Sequence, residues 1–92
     1  MKSTKNTIIK TFADLVKAKR SELNLSRSEM ARRANFTPQY AMEIERGHVI
    51  PTEDKIEALV NVLELDEKLA FKLADKIPMR IYEQAKQDYF KE

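Results

Sequence analysis

The chain has 92 residues, with 42% hydrophobic and 35% charged residues, one histidine, no cysteine and a formal net charge of +2. This composition excludes a disulfide framework and a thiolate metal site, and no apolar run is long enough for a transmembrane helix. We therefore expect one cytoplasmic domain without a signal peptide, a membrane segment, a catalytic centre, a metal or a cofactor.

Positive charge is concentrated in the first half of the chain. Residues 1–50 hold ten Lys or Arg and five Asp or Glu, whereas residues 51–92 hold seven and ten. A basic half of this kind fits a partner that carries phosphates. The alternative is that these charges only solvate helix surfaces.

The N-terminal segment, residues 1–10, is mostly polar and basic. It predicts an arm that either contacts a partner's phosphates or frays, as chain ends commonly do. Helix one is predicted to run from about Phe12 to Leu23, with Thr11 as its N-cap. Its apolar side consists of Phe12, Leu15, Val16 and Leu23. Asn24 then breaks the helix, in a role often taken by glycine.

Residues 26–47 predict two short helices joined by a tight turn. Ser26, with Glu29 three residues later, is a predicted capping box, so the first of these helices begins there. Its apolar side consists of Met30, Ala31 and Ala34. Asn35 follows, and asparagine tolerates the left-handed backbone that a helix end often requires.

The second helix of this pair has clear signals at both ends. Thr37 is a predicted N-cap, and Pro38 stands at the first helical position, where its missing N–H costs nothing. Ala41 and Ile44 supply the apolar side. Gly47, the only glycine in the chain, falls where a helix C-terminus favours a left-handed residue. Two helices joined in this way form a helix-turn-helix, whose second helix can enter the major groove of DNA.

Three further helices are predicted after Gly47. Thr52 is expected to cap a fourth helix, whose apolar stripe is Ile56, Leu59, Val60 and Leu63. Asp66 is expected to cap a fifth, whose stripe is Leu69, Ala70, Leu73, Ala74 and Ile77. Phe71 lies off this stripe, so we expect it to face outward. Pro78 ends or kinks the fifth helix, and a sixth is predicted over residues 79–90.

No stretch alternates like a strand, so the sequence predicts an all-α fold of five or six short helices. We divide the chain into an N-terminal arm (1–10), a helix-turn-helix domain (11–77) and a C-terminal helix (78–92). One side of the last helix is more apolar than a terminal helix needs: Ile81, Tyr82, Ala85 and Tyr89. Either this side joins two copies of the chain, or it folds back onto helices one and five.

Residues 12–65 resemble the Cro/repressor-type (Xre-type) helix-turn-helix domain of bacterial and phage regulators. The resemblance rests on Leu25-Ser26, Met30-Ala31, Glu43-Ile44-Glu45-Arg46-Gly47, Pro51 and Leu59–Leu65. Asn24 and Asn35 depart from the family, which usually has glycine or another turn residue at these positions. Both changes are chemically mild, because asparagine tolerates the same backbone.

The resemblance implies a compact five-helix, lambda-repressor-like DNA-binding domain, here with an extra C-terminal helix. Helices two and three would form the DNA-binding unit. Arg20 would pair with Glu45 and tie helix one to helix three, and the start of helix two at Ser26 and Arg27 would meet a phosphate. The positions that would face the major groove are Thr37, Pro38, Gln39, Tyr40, Met42 and Glu43.

The residues of helix three point to a similar surface. Gln39 lies in the first turn, from which its amide can bond adenine N6 and N7. Pro38 and Met42 can touch thymine methyls, and Tyr40 can reach phosphate or sugar. The full set of candidate DNA contacts is Arg20, Ser26, Arg27, Thr37, Pro38, Gln39, Tyr40, Met42, Glu43, Arg46 and His48.

Glu43 is an acidic residue on this otherwise neutral and basic side. It either accepts a hydrogen bond from cytosine N4, or pairs with Arg46 or Arg20 and reads no base. Arg46, His48 and Arg27 flank the surface and are placed for phosphate anchoring. His48, alone in a loop, is expected to be a neutral or exposed residue and not a metal ligand.

These observations predict a sequence-specific DNA-binding transcriptional regulator that acts as a dimeric repressor at a pseudo-palindromic operator. Its partners would be double-stranded DNA and a second copy of the chain. The alternative is an antitoxin that binds a toxin protein through the C-terminal helix and autoregulates its operon. A protein-only adaptor with a vestigial helix-turn-helix is a third possibility.

Overall fold

The computed structural model describes residues 9–91, so most of the predicted N-terminal arm lies outside the described residues. Six helices follow one another: α1 (Phe12–Glu22), α2 (Arg27–Ala34), α3 (Pro38–Glu45), α4 (Glu53–Leu63), α5 (Glu67–Ala74) and α6 (Met79–Tyr89). The described part of the chain has no strand, and the prediction of an all-α fold is confirmed. None of these helices is long and apolar enough to cross a membrane.

Four of these six helices, α1, α2, α3 and α5, begin at a side-chain cap. Thr11 Oγ1 accepts a hydrogen bond from the Asp14 N–H at 3.1 Å, and the Asp14 carboxylate accepts from the Thr11 N–H at 3.2 Å. Ser26 Oγ accepts from the Glu29 N–H at 3.0 Å. The Glu29 carboxylate, however, bonds Arg32 on its own helix, so the capping box predicted at Ser26 is only half formed.

Thr52 occupies the predicted N-cap position of α4, but its side chain makes no capping bond. Its hydroxyl donates to the Asp54 carboxylate instead. The cap of α5 forms as predicted, since Asp66 Oδ1 accepts from the Leu69 N–H at 3.1 Å. The start of α4 therefore depends on its acidic first turn and on packing more than on a cap.

The helix ends use left-handed residues at the predicted places. Asn24, Asn35 and Gly47 have φ of 59°, 63° and 78°. A Cβ added at Gly47 would meet only Ala13 Cβ, at 4.0 Å. Glycine is therefore favoured there by the backbone conformation and not by lack of space. Glu64 takes the same conformation, with φ of 56°, although glutamate has no preference for it.

One core joins α1 to α5. Its largest fully buried side chains are Phe12, Val16, Met30, Ile44, Ile56, Leu59 and Leu63. α1 contacts α3, α4 and α5, and α2 contacts α3 and α4. α3 is thus packed between the first two helices, and burial of each large apolar side chain contributes about 1.5–3 kcal/mol toward holding it there.

The prediction for α5 was wrong in its length and its orientation. The helix ends at Ala74, followed by Asp75 in the left-handed conformation, and does not reach Ile77. Phe71, expected to face outward, is only 3% exposed, whereas Leu69 is 38% exposed. The helix is rotated so that its aromatic ring enters the core, because burying that ring removes more apolar area from water than burying a leucine.

α6 stands apart from this core. Pro78 is its N-cap and not its first helical residue, and none of its residues is buried. At its base, Arg80 donates to both oxygens of Glu67, with Nη1–Oε2 and Nη2–Oε1 distances of 2.8 and 2.9 Å. The alternative that α6 folds back onto α1 and α5 and buries its apolar side is therefore wrong for the described chain.

Candidate nucleic-acid interface

The turn between α2 and α3 is built from local hydrogen bonds. Asn35 ends α2, and the Phe36 N–H donates to the Ala31 carbonyl at 2.7 Å. Thr37 Oγ1 then accepts from the Tyr40 N–H at 3.0 Å, with Pro38 at the first helical position. These bonds leave few alternatives for the connection, so the direction of α3 relative to α2 is set by four consecutive residues.

α3 has a buried side and an exposed side, as the pattern indicated. Ala41, Ile44 and Glu45 are buried. The candidate DNA contacts of the first turn are exposed: Thr37, Pro38 and Gln39. Ser26, Arg46 and His48 are also exposed, while Met42 and Glu43 are half-buried. The exposed side is thus most accessible at the two ends of the helix, with Met42 and Glu43 half-buried between them.

Tyr40 is partly withdrawn from this surface. Its ring packs edge-on against Phe36, with 5.1 Å between ring centroids, and the Lys55 ammonium lies 5.8 Å from the Tyr40 centroid. Burial, together with the nearby Asp54 carboxylate, raises the pKa of Tyr40. The ring therefore contributes to the packing of α3 against its neighbours.

A buried ion pair holds α3 in place. Arg20 donates from Nε to Glu45 Oε2 at 2.6 Å and from Nη2 to Glu45 Oε1 at 3.1 Å. Arg27 Nε donates to the same Oε1 at 3.2 Å. Glu45 is 3% exposed, and no buried side-chain polar atom of residues 9–91 lacks a partner. This cluster, Arg20, Arg27 and Glu45, links α1, α2 and α3.

The family resemblance implied one half of this cluster. The Arg20–Glu45 pair forms as implied, whereas the contact of Arg27 with Glu45 was not expected, because Arg27 was assigned only to a phosphate. Arg20 also donates to the Leu25 carbonyl at 2.9 Å. Its guanidinium is therefore engaged inside the domain, which fits the predicted tether and does not fit the predicted DNA contact.

Glu43 has partners that the sequence did not indicate. Gln39 Nε2 donates to Glu43 Oε2 at 2.7 Å, and His48 Nδ1 lies 2.7 Å from Glu43 Oε1. The hydrogen bond from His48 lowers the pKa of Glu43, and Gln39 adds to the effect. The ring nitrogen Nδ1 must carry the proton, since an ionised carboxylate only accepts. Of the two arginines considered as partners, Arg20 pairs with Glu45 instead, and Arg46 forms no ion pair with Glu43 among the described residues, although its positive charge helps to lower the pKa of Glu43.

The position of His48 follows from the end of α3. Its N–H donates to the Glu43 carbonyl at 3.0 Å, across the left-handed turn at Gly47. This hydrogen bond folds the chain back against the last turn of α3, which brings the His48 imidazole beside the Glu43 carboxylate. A Schellman-type end at the only glycine is a local signal from which the contact could have been found.

Positive charge surrounds the exposed side of α3 unevenly. Arg27 and Arg46 are exposed, and Arg27 shares a shallow concave surface with Ser28, Pro38, Gln39 and Met42. Arg32 and Arg33 pair with Glu29 on their own helix, and these hydrogen bonds lower the pKa of Glu29. All three arginines are thus partly neutralised, since Arg27 also pairs with Glu45, but only Arg27 of the three lies beside the first turn of α3.

The candidate dimerisation residues lie elsewhere, on α6. All four are exposed: Ile81, Tyr82, Ala85 and Tyr89. Tyr89 is 81% exposed and packs edge-on against Phe90, which is itself 69% exposed. These side chains form a largely exposed apolar surface, although Tyr82 also borders Phe71 of α5.

A comparison with known protein families found one match. A family model described as helix-turn-helix matches residues 16–69, which is more than half of the chain and includes all of α2, α3 and α4. No curated protein matches the chain.

Proposed function

This chain belongs to the Cro/C1-type (Xre-like) helix-turn-helix family of DNA-binding regulators, and we propose on this premise that it is a dimeric, sequence-specific transcriptional repressor. The observation that carries the proposal is the exposed side of α3. It presents Gln39, Pro38 and Met42 beside the cation of Arg27, on a helix held from behind by the buried Glu45.

In this proposal α3 lies in the major groove. Gln39 in its first turn reads adenine, for about 1–3 kcal/mol of discrimination against another base. Arg27 and Arg46 contact phosphates on either side, which positions the helix without reading sequence. Uncharged groups add further contacts to phosphate. They are the side chains of Ser26 and Thr37 and the N-terminus of α2, because a helix N-terminus attracts phosphate.

Two copies of the chain are needed to recognise a unique DNA site, because one α3 spans only a few base pairs. A symmetric dimer reads two half-sites about 34 Å apart, or a multiple of that distance, on a pseudo-palindrome. The exposed apolar side of α6 supports a contact between copies through Ile81, Tyr82, Ala85 and Tyr89. Bound to an operator, such a dimer would occlude a promoter.

The same surface favours one alternative. An antitoxin would use α6 to bind a toxin protein while α3 still bound the DNA of its own operon. The uncovered apolar side of α6 fits either partner, and the difference lies in what the purified chain does alone. A dimer formed without a second protein supports the repressor, and a monomer that gains a partner protein supports the antitoxin.

Selection of bound DNA from a random pool tests the proposal, with the mass of the full chain measured in parallel by sedimentation. We expect a pseudo-palindromic consensus and a dimer. A consensus with a single half-site and a monomer would contradict the dimer. No enriched sequence, even at low salt, would overturn DNA reading and favour the protein-only adaptor.

Two variants, tested on the selected operator, separate recognition of bases from contact with phosphates. Gln39→Ala should lose discrimination at one or two base positions. Arg27→Ala should weaken binding to every sequence and lower the slope of log affinity against log salt by about one. Lys72→Ala removes an exposed cation from α5 and serves as the matched control, with no expected change in the slope.

A further inference from the structure

We infer that Glu43 is a positioning residue that restricts Gln39 to adenine. This inference deepens the proposed function and rests on it. It concerns the contact between Gln39 and Glu43, which lie one helical turn apart on the exposed side of α3. The question it answers is why a carboxylate stands on a surface that must approach phosphates.

The hydrogen bond between the two side chains fixes the amide. Gln39 Nε2 donates one N–H to Glu43 Oε2 at 2.7 Å. The remaining N–H and the carbonyl Oε1 of Gln39 are left for a partner. Rotating the amide by half a turn would bring Gln39 Oε1 against Glu43 Oε2, and two acceptors repel each other. A single orientation of the amide is therefore favoured before DNA binds.

The carboxylate is itself held in position. His48 Nδ1 lies 2.7 Å from Glu43 Oε1, on the other oxygen from the one that Gln39 uses. The Glu43 side chain is 28% exposed, compared with 59% for His48. The lowered pKa of Glu43 keeps it ionised at neutral pH, so it acts only as an acceptor. The Glu43 carboxylate, held in place by His48, therefore fixes the amide of Gln39.

The base that fits this arrangement is adenine. In the major groove adenine offers one acceptor, N7, and one donor, the N6 amino group, whereas guanine offers two acceptors, N7 and O6. A free glutamine amide has two N–H groups and can donate both to guanine. With one N–H held by Glu43, the amide of Gln39 keeps one donor and one acceptor, which matches adenine and mismatches guanine.

Two substitutions of Glu43 separate its hydrogen bond from its charge. They are compared on the selected operator and on duplexes changed at the base pair that Gln39→Ala identifies. Glu43→Ala removes both features, and we expect the preference for adenine over guanine to fall by about fivefold to tenfold. Glu43→Gln keeps an acceptor for Gln39 Nε2, so it should retain most of this preference.

A second readout moves in the opposite direction. Both variants remove a negative charge from a surface that faces phosphates, so affinity for non-specific DNA should rise. A residue that only stabilised the fold would lower both kinds of binding together. Glu22→Ala removes the same charge from α1, where its carboxylate pairs with Lys19, and should leave the base preference unchanged.

The outcomes are distinguishable. If Glu43→Ala keeps the adenine preference, or loses a cytosine preference at a neighbouring position, the inference is wrong while the proposed function stands. If Gln39→Ala changes no base preference, Gln39 reads no base and the inference is wrong as well. If the unaltered chain enriches no DNA sequence, both fail. Thermal melting of each variant, with Glu43→Gln as the milder change, excludes misfolding as the cause.

Discussion

Helices α3 and α6 are both short, both begin at or after a proline and both carry an apolar side, yet only α3 is packed into the domain. α3 buries Ala41, Ile44 and Glu45, and its buried carboxylate meets two arginines from other helices. α6 buries nothing, and the ion pair of Arg80 with Glu67 connects its base to the domain.

An amphipathic pattern in a helix and the packing of that helix are therefore separate properties. The apolar side of α3 is satisfied within its own chain, which leaves its polar side rigidly displayed. The apolar side of α6 stays exposed in the described chain. A helix that reads DNA must be fixed to within a fraction of an ångström. The apolar side of a helix that joins two proteins, in contrast, is buried only when the partner binds.

The largest expected difference comes from one substitution made in both helices. Ile44→Ala should lower the free energy of unfolding by about 2–5 kcal/mol, because Ile44 is fully buried and the change leaves a cavity. Ile81→Ala should change it by no more than about 0.5 kcal/mol, since Ile81 is 50% exposed. Urea denaturation of dilute protein measures both values. Similar losses in the two variants would show that α6 is packed after all.

The next effect concerns the buried cluster behind α3. Glu45→Ala should lower the free energy of unfolding by about 3 kcal/mol, because it leaves Arg20 without its main partner in a partly buried site. Glu22→Ala breaks an exposed pair with Lys19 and should cost about 0.5 kcal/mol or less. Chemical denaturation compares them directly. A loss below about 1 kcal/mol for Glu45→Ala would argue against the cluster as the anchor of α3.

Removal of α6 should have a small effect on the domain and a clear effect on assembly. A chain ending at Pro78 loses no buried residue, so its free energy of unfolding should stay within about 1 kcal/mol of that of the full chain. Self-association should fall, and sedimentation of the two chains at equal concentration measures it. If the shortened chain remains a dimer, the contact between copies lies elsewhere.

The smallest effect is expected at the base of α6 in acid. Hydrogen bonds from Arg80 hold the pKa of Glu67 below its usual range. A carboxyl with a lowered pKa in the folded state stabilises the fold at neutral pH, and this contribution is lost as the pH falls below about 4. Glu67→Gln should therefore flatten the decline in melting temperature between about pH 5 and pH 3. An unchanged decline would indicate that the ion pair is weak in solution.

Most of the helix boundaries could be predicted because their signals are local. Thr11, Thr37 and Asp66 cap helices through hydrogen bonds that span three residues. Asn35 and Gly47 end helices through a backbone conformation that their own chemistry favours. Such features depend on a few neighbouring residues, so the amino-acid order is sufficient to find them.

The rotation of α5 could not be predicted in the same way. The pattern of α5 permits two overlapping apolar sides, one with Leu69 and Leu73 and one with Ala70, Phe71 and Ala74. The second is buried, because the space left by α1 and α4 accepts the ring of Phe71. Periodicity counts apolar residues, whereas packing depends on the shape of what they face.

The amino-acid order alone predicted five or six helices, the turn between α2 and α3 and the exposed side of the helix that would read DNA. The tertiary structure alone decided that Arg27 joins Arg20 on Glu45, that Phe71 is buried, and that α6 stays uncovered. The contacts of Glu43 with Gln39 and His48 span only four and five residues, and the helix end at Gly47 is a local signal that could have indicated the second. The physical reason is range: caps and turns are made by residues a few positions apart, but which groups meet across helices depends on how the whole core closes.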